Sequence, residues 1–308
     1  MYVDYHSHTL YSFDGESRTE EMLQAAIQRG VEEICFTDHL DYDIPEYHVP
    51  DFIARAEEFS QLRKKFTDIK IKEGVEVGLS DKVCAEMASS TLRDVKLDFV
   101  IGSVHTVNGI DVWRDVFYEG KSKEKAYREY LETVARVIKT CPWMNALGHY
   151  DFVAKYAPYQ DRSVSCKHAL DAFDSIFEYL ITNGMTMEVN TASWQESAPW
   201  GEDVLRRFKE LGGEYVTLGS DTHGAERIGA RMHEAEALVK RAGIKYIATF
   251  SNKKPELAPA PQRSPLPLQL RGSRAVPHPQ IPVVPPLIRT AAAPRRRLSC
   301  RRQQPLPT

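Results

Sequence analysis

The sequence lacks any pair of cysteines at CxxC spacing. Cys35, Cys84, Cys141, Cys166 and Cys300 are scattered and odd in number, which excludes a disulfide framework, argues for a reducing compartment and leaves the thiols to be read as small buried hydrophobes. No window of 18 apolar residues exists, so no membrane-spanning helix is expected. The chain opens directly into "YVDYHSH" with neither the basic region nor the apolar core of a signal peptide, and the expectation is a soluble, cytoplasmic protein with no membrane partner. Acidic residues run out at Glu256 and lysines at Lys254, after which nine arginines are the only charges. Subtracting those nine from the formal net charge of -3 leaves -12 for residues 1–258. An acidic body repels a phosphate backbone, so a broad nucleic-acid footprint is excluded.

What is present is an alternation. Short apolar runs, "EEICFTDH", "IKIKEGVEVG", "LDFVIGSVH", "MNALGHYD", "MTMEVNT" and "EYVTLGSDTH", are separated by stretches of helical period. In "TEEMLQAAIQRG", Met22, Leu23, Ala26 and Ile27 share a face and Gly30 supplies a stop. Similar helical patterns cover roughly residues 50–66, 122–139, 167–183, 201–211 and 226–242, with "KYIATFS" as a last strand. Counting the opening run, strand and helix alternate about seven times, which predicts an α/β fold with parallel strands and right-handed crossovers. Thirteen of the eighteen prolines lie from Pro255 onward. The composition divides the chain into a body, 1–258, and a disordered Pro/Arg-rich tail, 259–308, whose arginines are read as incidental.

Polar residues collect where the strands end. His6, His8, His39, Glu76, His105, His149, Asp221 and His223 all fall there, and Asp14 follows the first strand in its loop. These positions hold six of the ten histidines, and a closed β/α barrel of TIM type would open them all on one face. Packing alone does not account for imidazoles and carboxylates gathered in one mouth, because their desolvation is costly unless ions satisfy them. The period of two in "HSH" and "DTH" turns both side chains of each pair the same way. Imidazoles with carboxylates and no thiolate suit Zn, Mn or Fe. Nine donors exceed the needs of one ion and are enough for two or three.

The blocks "HSHTLYSFD" (6–14), "FTDH" (36–39), "GVEVG" (74–78), "GSVH" (102–105), "GHYD" (148–151) and "GSDTH" (219–223) resemble the polymerase and histidinol phosphatase (PHP) superfamily over about residues 1–257. Length, the insertion between the Glu76 and His105 blocks, and the segments "MEVNTAS" and "TFSNKKPE" resemble its stand-alone histidinol-phosphatase branch. The resemblance implies a distorted (β/α)7 barrel with three divalent ions. His6, His8, Glu76 and Asp221 would surround one, Glu76 would bridge to a second held by His105 and His149, and Asp14, His39 and His223 would hold the third. It implies hydrolysis of the monoester L-histidinol phosphate, in histidine biosynthesis, by attack of a metal-bridging hydroxide. Asp221, His223 and Arg162 are candidate catalytic residues. Arg162 is the first choice for binding the phosphate and Arg227 the second, since a guanidinium grips phosphate bidentately. Asp38, beside His39, either orients a ligand or is structural. The alternatives are a phosphodiesterase or exonuclease of the same superfamily and a non-catalytic metal-binding protein. Self-association is left open.

Overall fold

The computed structural model describes residues 2–44, 47–194 and 197–260. From the N-terminus the chain runs β1 (Val3–Asp4), α1 (Thr19–Gln28), β2 (Glu33–Phe36), β3 (His39–Leu40), α2 (Phe52–Lys65), β4 (Lys70–Gly78), α3 (Lys82–Thr91) and β5 (Phe99–Ser103). A small hairpin of β6 (Thr106–Val107) and β7 (Ile110–Asp111) follows, then α4 (Lys123–Val137), β8 (Ala146–Leu147), α5 (Phe152–Lys155), α6 (Leu170–Thr182) and β9 (Thr186–Asn190). The last elements are α7 (Glu202–Glu210), β10 (Tyr215–Gly219), α8 (Met232–Ala242), β11 (Tyr246–Ser251) and β12 (Lys254–Pro259).

Seven parallel strands pair in the order β1-β2-β4-β5-β8-β9-β10, with β3 beside the end of β4. The ring closes between its first and last members. Tyr5 N donates to Leu218 O, His8 N to Thr222 O and Asp221 N to His6 O, each at 2.8 Å, and Ser7 bridges Thr222 in parallel. The closure makes a (β/α)7 barrel, as expected. Its distortion lies in β10, which begins against β11 (Tyr215 opposite Tyr246) and ends against β1.

The strands are buried on both faces, as a barrel wall covered by helices requires; all four residues of β2 and all five of β5 and β9 are buried. Fully buried rings such as Phe36, Phe59, Phe173 and Phe177 pack among the strands and helices, each contributing about 1.5–3 kcal/mol through burial. Asp51 and Ser122 cap α2 and α4 by accepting backbone N–H groups of the first turn. Helix α8 begins at Met232, six residues later than the periodicity predicts, because Gly229 (φ 62°) and Arg231 (φ 60°) are left-handed and interrupt it. Helix α3 is not expected from the pattern, since only Ala85 and Ala88 of its ten residues are buried and its stripe is too weak to read. Strand β12 is also unexpected. It returns antiparallel along β11 through a turn in which Asn252 and Lys253 both have positive φ, the geometry that matches strand twist. The body therefore continues through Ala260, and the remainder of the tail lies outside the described residues.

Under the mouth of the barrel lies a buried ion pair. Arg55 of α2 donates from Nη1 to Asp38 Oδ2 (3.0 Å) and from Nη2 to Gly74 O (2.8 Å). Asp38 Oδ1 also accepts from Thr9 N (2.7 Å) and Thr9 Oγ1 (2.9 Å). Both ionic side chains are inaccessible, so their hydrogen bonds carry the cost of desolvation. Asp38 thus ties the loop after β1 to α2. Beyond its bond to His39 in the chain, it reaches the histidines through Ser12, whose Oγ lies 3.1 Å from His8 Nδ1 and accepts from His39 N.

Candidate metal centre

The chemistry-bearing residues leave the sheet at the C-terminal ends of its strands. His6 and His8 follow β1, His39 opens β3, Glu76 lies near the end of β4, His105 follows β5, His149 follows β8, and Asp221 and His223 follow β10. Period two turns His6 and His8 inward while Ser7 between them donates to Cys35 O (3.1 Å). Asp221 has φ 48°, a left-handed conformation that a short acidic side chain tolerates.

Glu76 is the hub. Its Oε1 lies 2.9 Å from His149 Nε2 and 3.3 Å from His105 Nε2. Its Oε2 lies 3.1 Å from His6 Nε2, 3.4 Å from His8 Nε2 and 3.1 Å from His39 Nδ1. Asp221 Oδ1 approaches the same His8 nitrogen at 3.4 Å and His6 Nε2 at 3.7 Å. At the outer edge Asp14 Oδ2 lies 3.1 Å from His223 Nε2 and 3.7 Å from His39 Nε2. The ring of His8 stacks between those of His39 and His223, with both centroid separations 4.3 Å. All nine residues expected to hold ions thus meet in one mouth.

The donor set suits cations. Nε2 of His6 and of His8, Oδ1 of Asp14, Nδ1 of His39 and Oε2 of Glu76 are buried with no hydrogen-bond partner among the described residues, although each lies in a crowd of polar atoms. Burial opposes protonation of His6, yet Glu188, Glu76 and Asp221 push its pKa well above the ordinary range. His105 and His39 are likewise raised against their burial, His105 by Asp41 and Glu76 and His39 by Glu76, Asp41 and Asp14. His8 goes the other way, to about 3, through burial and the neighbouring His223 and His39. Burial would raise the Glu76 carboxyl, but His6, His39 and His105 hold it well below the carboxylate range. The field in the mouth is negative, and three nitrogens and two oxygens are buried there without a hydrogen-bond partner among the described residues. Donor atoms lie within 4.8 Å of one another in four groups that could each hold an ion: His6, His8 and Asp221; His6, Glu76 and His149; His8, His39 and His223; and His39, Asp41 and His105.

Three of the residues in contact here escape a reading of the sequence. Asp41 lies 2.6 Å from His105 Nδ1 and 3.2 Å from His39 Nδ1. It is two residues beyond His39, so period two marks it, but the acid-rich stretch "DYD" hides it. Glu188 lies 2.8 Å from His6 Nδ1; a lone acid inside the apolar run "MEVN" is its signal. Lys155, at the end of α5, places Nζ 2.9 Å from Asp221 Oδ2. Burial works against its charge, but Asp221 raises its pKa above the ordinary lysine range, while Lys155 and His6 hold Asp221 well below its own. A cavity of about 430 Å³ opens here, lined by Asp14, Lys155, Tyr156, Asp221, His223 and Arg227 among others. Arg227 lies at the rim of this cavity. Arg162 is not among the residues lining this cavity; its Nη1 donates to the carbonyl of Lys155 at 3.2 Å, and the cation that touches Asp221 is Lys155.

Comparison with known proteins agrees with this arrangement. The family model described as the PHP domain matches residues 4–192. Histidinol-phosphatase of Lactococcus lactis subsp. lactis is 36% identical over 260 residues, covering 82% of this chain and 95% of that protein. A probable histidinol-phosphatase of Clostridium acetobutylicum is 26% identical, covering 80% and 96%. Among solved structures, histidinol phosphate phosphatase from Lactococcus lactis, complexed with zinc, L-histidinol and phosphate, has a TM-score of 0.75 at 35% identity, covering 82% of this chain and 98% of that one. The putative histidinol phosphatase from Listeria monocytogenes shares the fold, with a TM-score of 0.61 at 19% identity, covering 74% and 97%. With a family model over more than half of its length and a relative above one-third identity over four-fifths of it, this chain belongs to the PHP family, in its histidinol-phosphatase branch.

Proposed function

We propose that this protein hydrolyses L-histidinol phosphate to L-histidinol and phosphate, with two or three divalent ions, Zn, Mn or Fe, held by His6, His8, Asp14, His39, Glu76, His105, His149, Asp221 and His223. The observation that carries the reading is one buried carboxylate, Glu76, facing five imidazoles whose inward nitrogens largely lack hydrogen-bond partners. Ions bound there supply Lewis acidity toward phosphate oxygens and bring the pKa of water toward neutrality. The chain supplies the rest by position and charge.

Lys155 and Arg227 line the cavity beside Asp221 and His223, and their charges bind and orient the phosphate dianion in it. Arg162 steadies Lys155 through its carbonyl. A neighbouring cavity of about 290 Å³ shares Asp14 and Tyr156 with the first and is walled by Phe13, Tyr47, Trp113 and Asp111, the last paired with Arg114 at 2.9 Å. Aromatic faces and a carboxylate suit the cationic, ring-bearing half of the ester. The relative bound to L-histidinol and phosphate supports the same choice. A cytoplasmic location fits the free thiols Cys35, Cys84, Cys141 and Cys166, and no described helix is long and apolar enough to cross a membrane.

The test is phosphate release by the purified protein from L-histidinol phosphate, from a panel of other monoesters and from a dinucleotide. Histidinol phosphate is expected to lead by a wide margin. Preference for the dinucleotide would move the assignment to a phosphodiesterase of the same family, and absence of turnover on every substrate with ions bound would leave a metal-binding protein. Exhaustive chelation is expected to abolish release, and added Zn or Mn to restore it.

A further inference from the structure

Two carboxylates outside the expected donor set each cross a strand to reach a histidine. Glu188 on β9 extends over Gly219 at the end of β10, and its Oε1 lies 2.8 Å from Nδ1 of His6, just after β1. Asp41, after β3, extends over Gly78 at the end of β4, and its Oδ1 lies 2.6 Å from Nδ1 of His105, just after β5. Both carboxylates and both imidazoles are buried.

The glycines make the crossings. A Cβ on Gly219 would collide with Glu188 Oε1 and with Cβ of His6, and a Cβ on Gly78 would collide with Asp41 Oδ1. Neither glycine has a positive φ, so it is the space above the strand that excludes a side chain at these positions, not the backbone conformation. The same device occurs at two places around the barrel.

Its chemical effect follows from tautomerism. An imidazole that donates Nδ1–H to a carboxylate keeps its lone pair on Nε2 and gains basicity there. Nε2 of His6 and of His105 lie 3.1 and 3.3 Å from the two oxygens of Glu76. Of the two orienting groups, Glu188 is itself anchored. Glu188 Oε2 accepts from His149 N (2.8 Å) and Asn190 Nδ2 (3.1 Å), while Asp41 Oδ2 makes no hydrogen bond among the described residues and faces His39 Nδ1 at 3.2 Å.

We propose that Glu188 and Asp41 are positioning residues that hold His6 and His105 as Nδ1–H tautomers, so that both offer Nε2 to the ions shared through Glu76, and that Gly219 and Gly78 serve to let those carboxylates pass. The inference rests on the metal-centre reading above. It is tested by comparing zinc-loaded wild-type protein with Glu188→Gln and Asp41→Asn, using elemental analysis, competition against a chromophoric chelator and far-UV circular dichroism. Either amide removes the negative charge that makes Nε2 of the paired imidazole more basic, and at Glu188 its NH2 would also meet the donors His149 N or Asn190 Nδ2; each near-isosteric variant is expected to keep the wild-type dichroism and to lose about ten- to a hundredfold in zinc affinity. Gly219→Ala, which leaves every donor in the chain, is expected to weaken zinc in the same direction. A folded Glu188→Gln or Asp41→Asn that holds zinc as tightly as wild type overturns the proposal, whereas a wild-type protein that takes up no zinc overturns the metal-centre reading itself. Should a substitution prevent folding, two-bond ¹⁵N–¹H spectra of the zinc-loaded wild type decide alone. Protons on Nδ1 and zinc on Nε2 of His6 and His105 are expected, and zinc on Nδ1 of either overturns the proposal.

Discussion

The two ends of the barrel carry charge in opposite ways. At the N-terminal ends of β4 and β5 a cleft of about 680 Å³ is lined by Arg63, Lys70, Lys72, Glu73, Lys96 and Asp98 among others. There Glu73 faces Arg63 at 2.8 Å and Glu33 faces Lys70 at 3.4 Å, with the basic partners well exposed. At the C-terminal end the cavity is smaller, about 430 Å³, and Asp14, Asp41, Glu76, Glu188 and Asp221 crowd against imidazoles, with Lys155 reaching Asp221. The larger cleft has its charges met by the chain in high dielectric, so it asks for nothing more. The smaller one gathers carboxylates and imidazoles of which five buried polar atoms find no hydrogen-bond partner among the described residues. Unmet charge, and not cavity size, marks the working end.

Substitutions should separate the two ends most sharply at Glu76. Glu76→Gln keeps the shape and removes the charge that five imidazoles face, and is expected to lower bound metal and to cut phosphate release by about a thousandfold or more, on the scale of several kcal/mol that bound ions contribute. Elemental analysis beside a phosphate assay reads both, and a variant with full metal and full rate would remove Glu76 from the centre of the scheme. Next comes the frame beneath the mouth. Arg55→Met strands the buried Asp38 carboxylate and is expected to cost about 3–5 kcal/mol in urea unfolding; a loss under about 1 kcal/mol would mean Asp38 finds another partner.

Lys155→Met should reduce kcat/KM for the monoester by roughly ten- to a hundredfold, the worth of about 1.5–3 kcal/mol for a charged hydrogen bond. Lys155→Arg should recover part of that, and Arg162→Met should lose less than Lys155→Met; the reverse ranking would return Arg162 to the phosphate. The smallest effect belongs to the other end. Arg63→Ala is expected to leave phosphate release unchanged and to shift stability by less than about 1 kcal/mol, and a slowed enzyme would show that the large cleft has a part in turnover.

Much of the barrel and of its mouth is legible in the residues themselves. Buried parallel strands read as continuous apolar runs, so all seven members of the ring are visible, and polar residues at their ends stand out against that background. Weak amphipathicity conceals α3, where only two alanines are buried. Left-handed Gly229 and Arg231 move the start of α8, a backbone event that periodicity does not record. Arg162 draws attention because a guanidinium suits phosphate, yet the loop turns it toward the carbonyl of Lys155. Lys155 follows "GHYDFVA" without any pattern to mark it.

The order of the strands, their direction and the gathering of nine imidazoles and carboxylates at or just after their ends were determined by the sequence alone, because each depends on residue type and on the local periods of two and 3.6. Which nitrogen each imidazole presents, which carboxylates reach across a neighbouring strand and which cation turns into the mouth were decided only by the closed barrel. Those choices depend on approaches of about 3 Å between strands far apart in the chain, such as Glu188 to His6 over Gly219, and no local pattern encodes a distance of that kind.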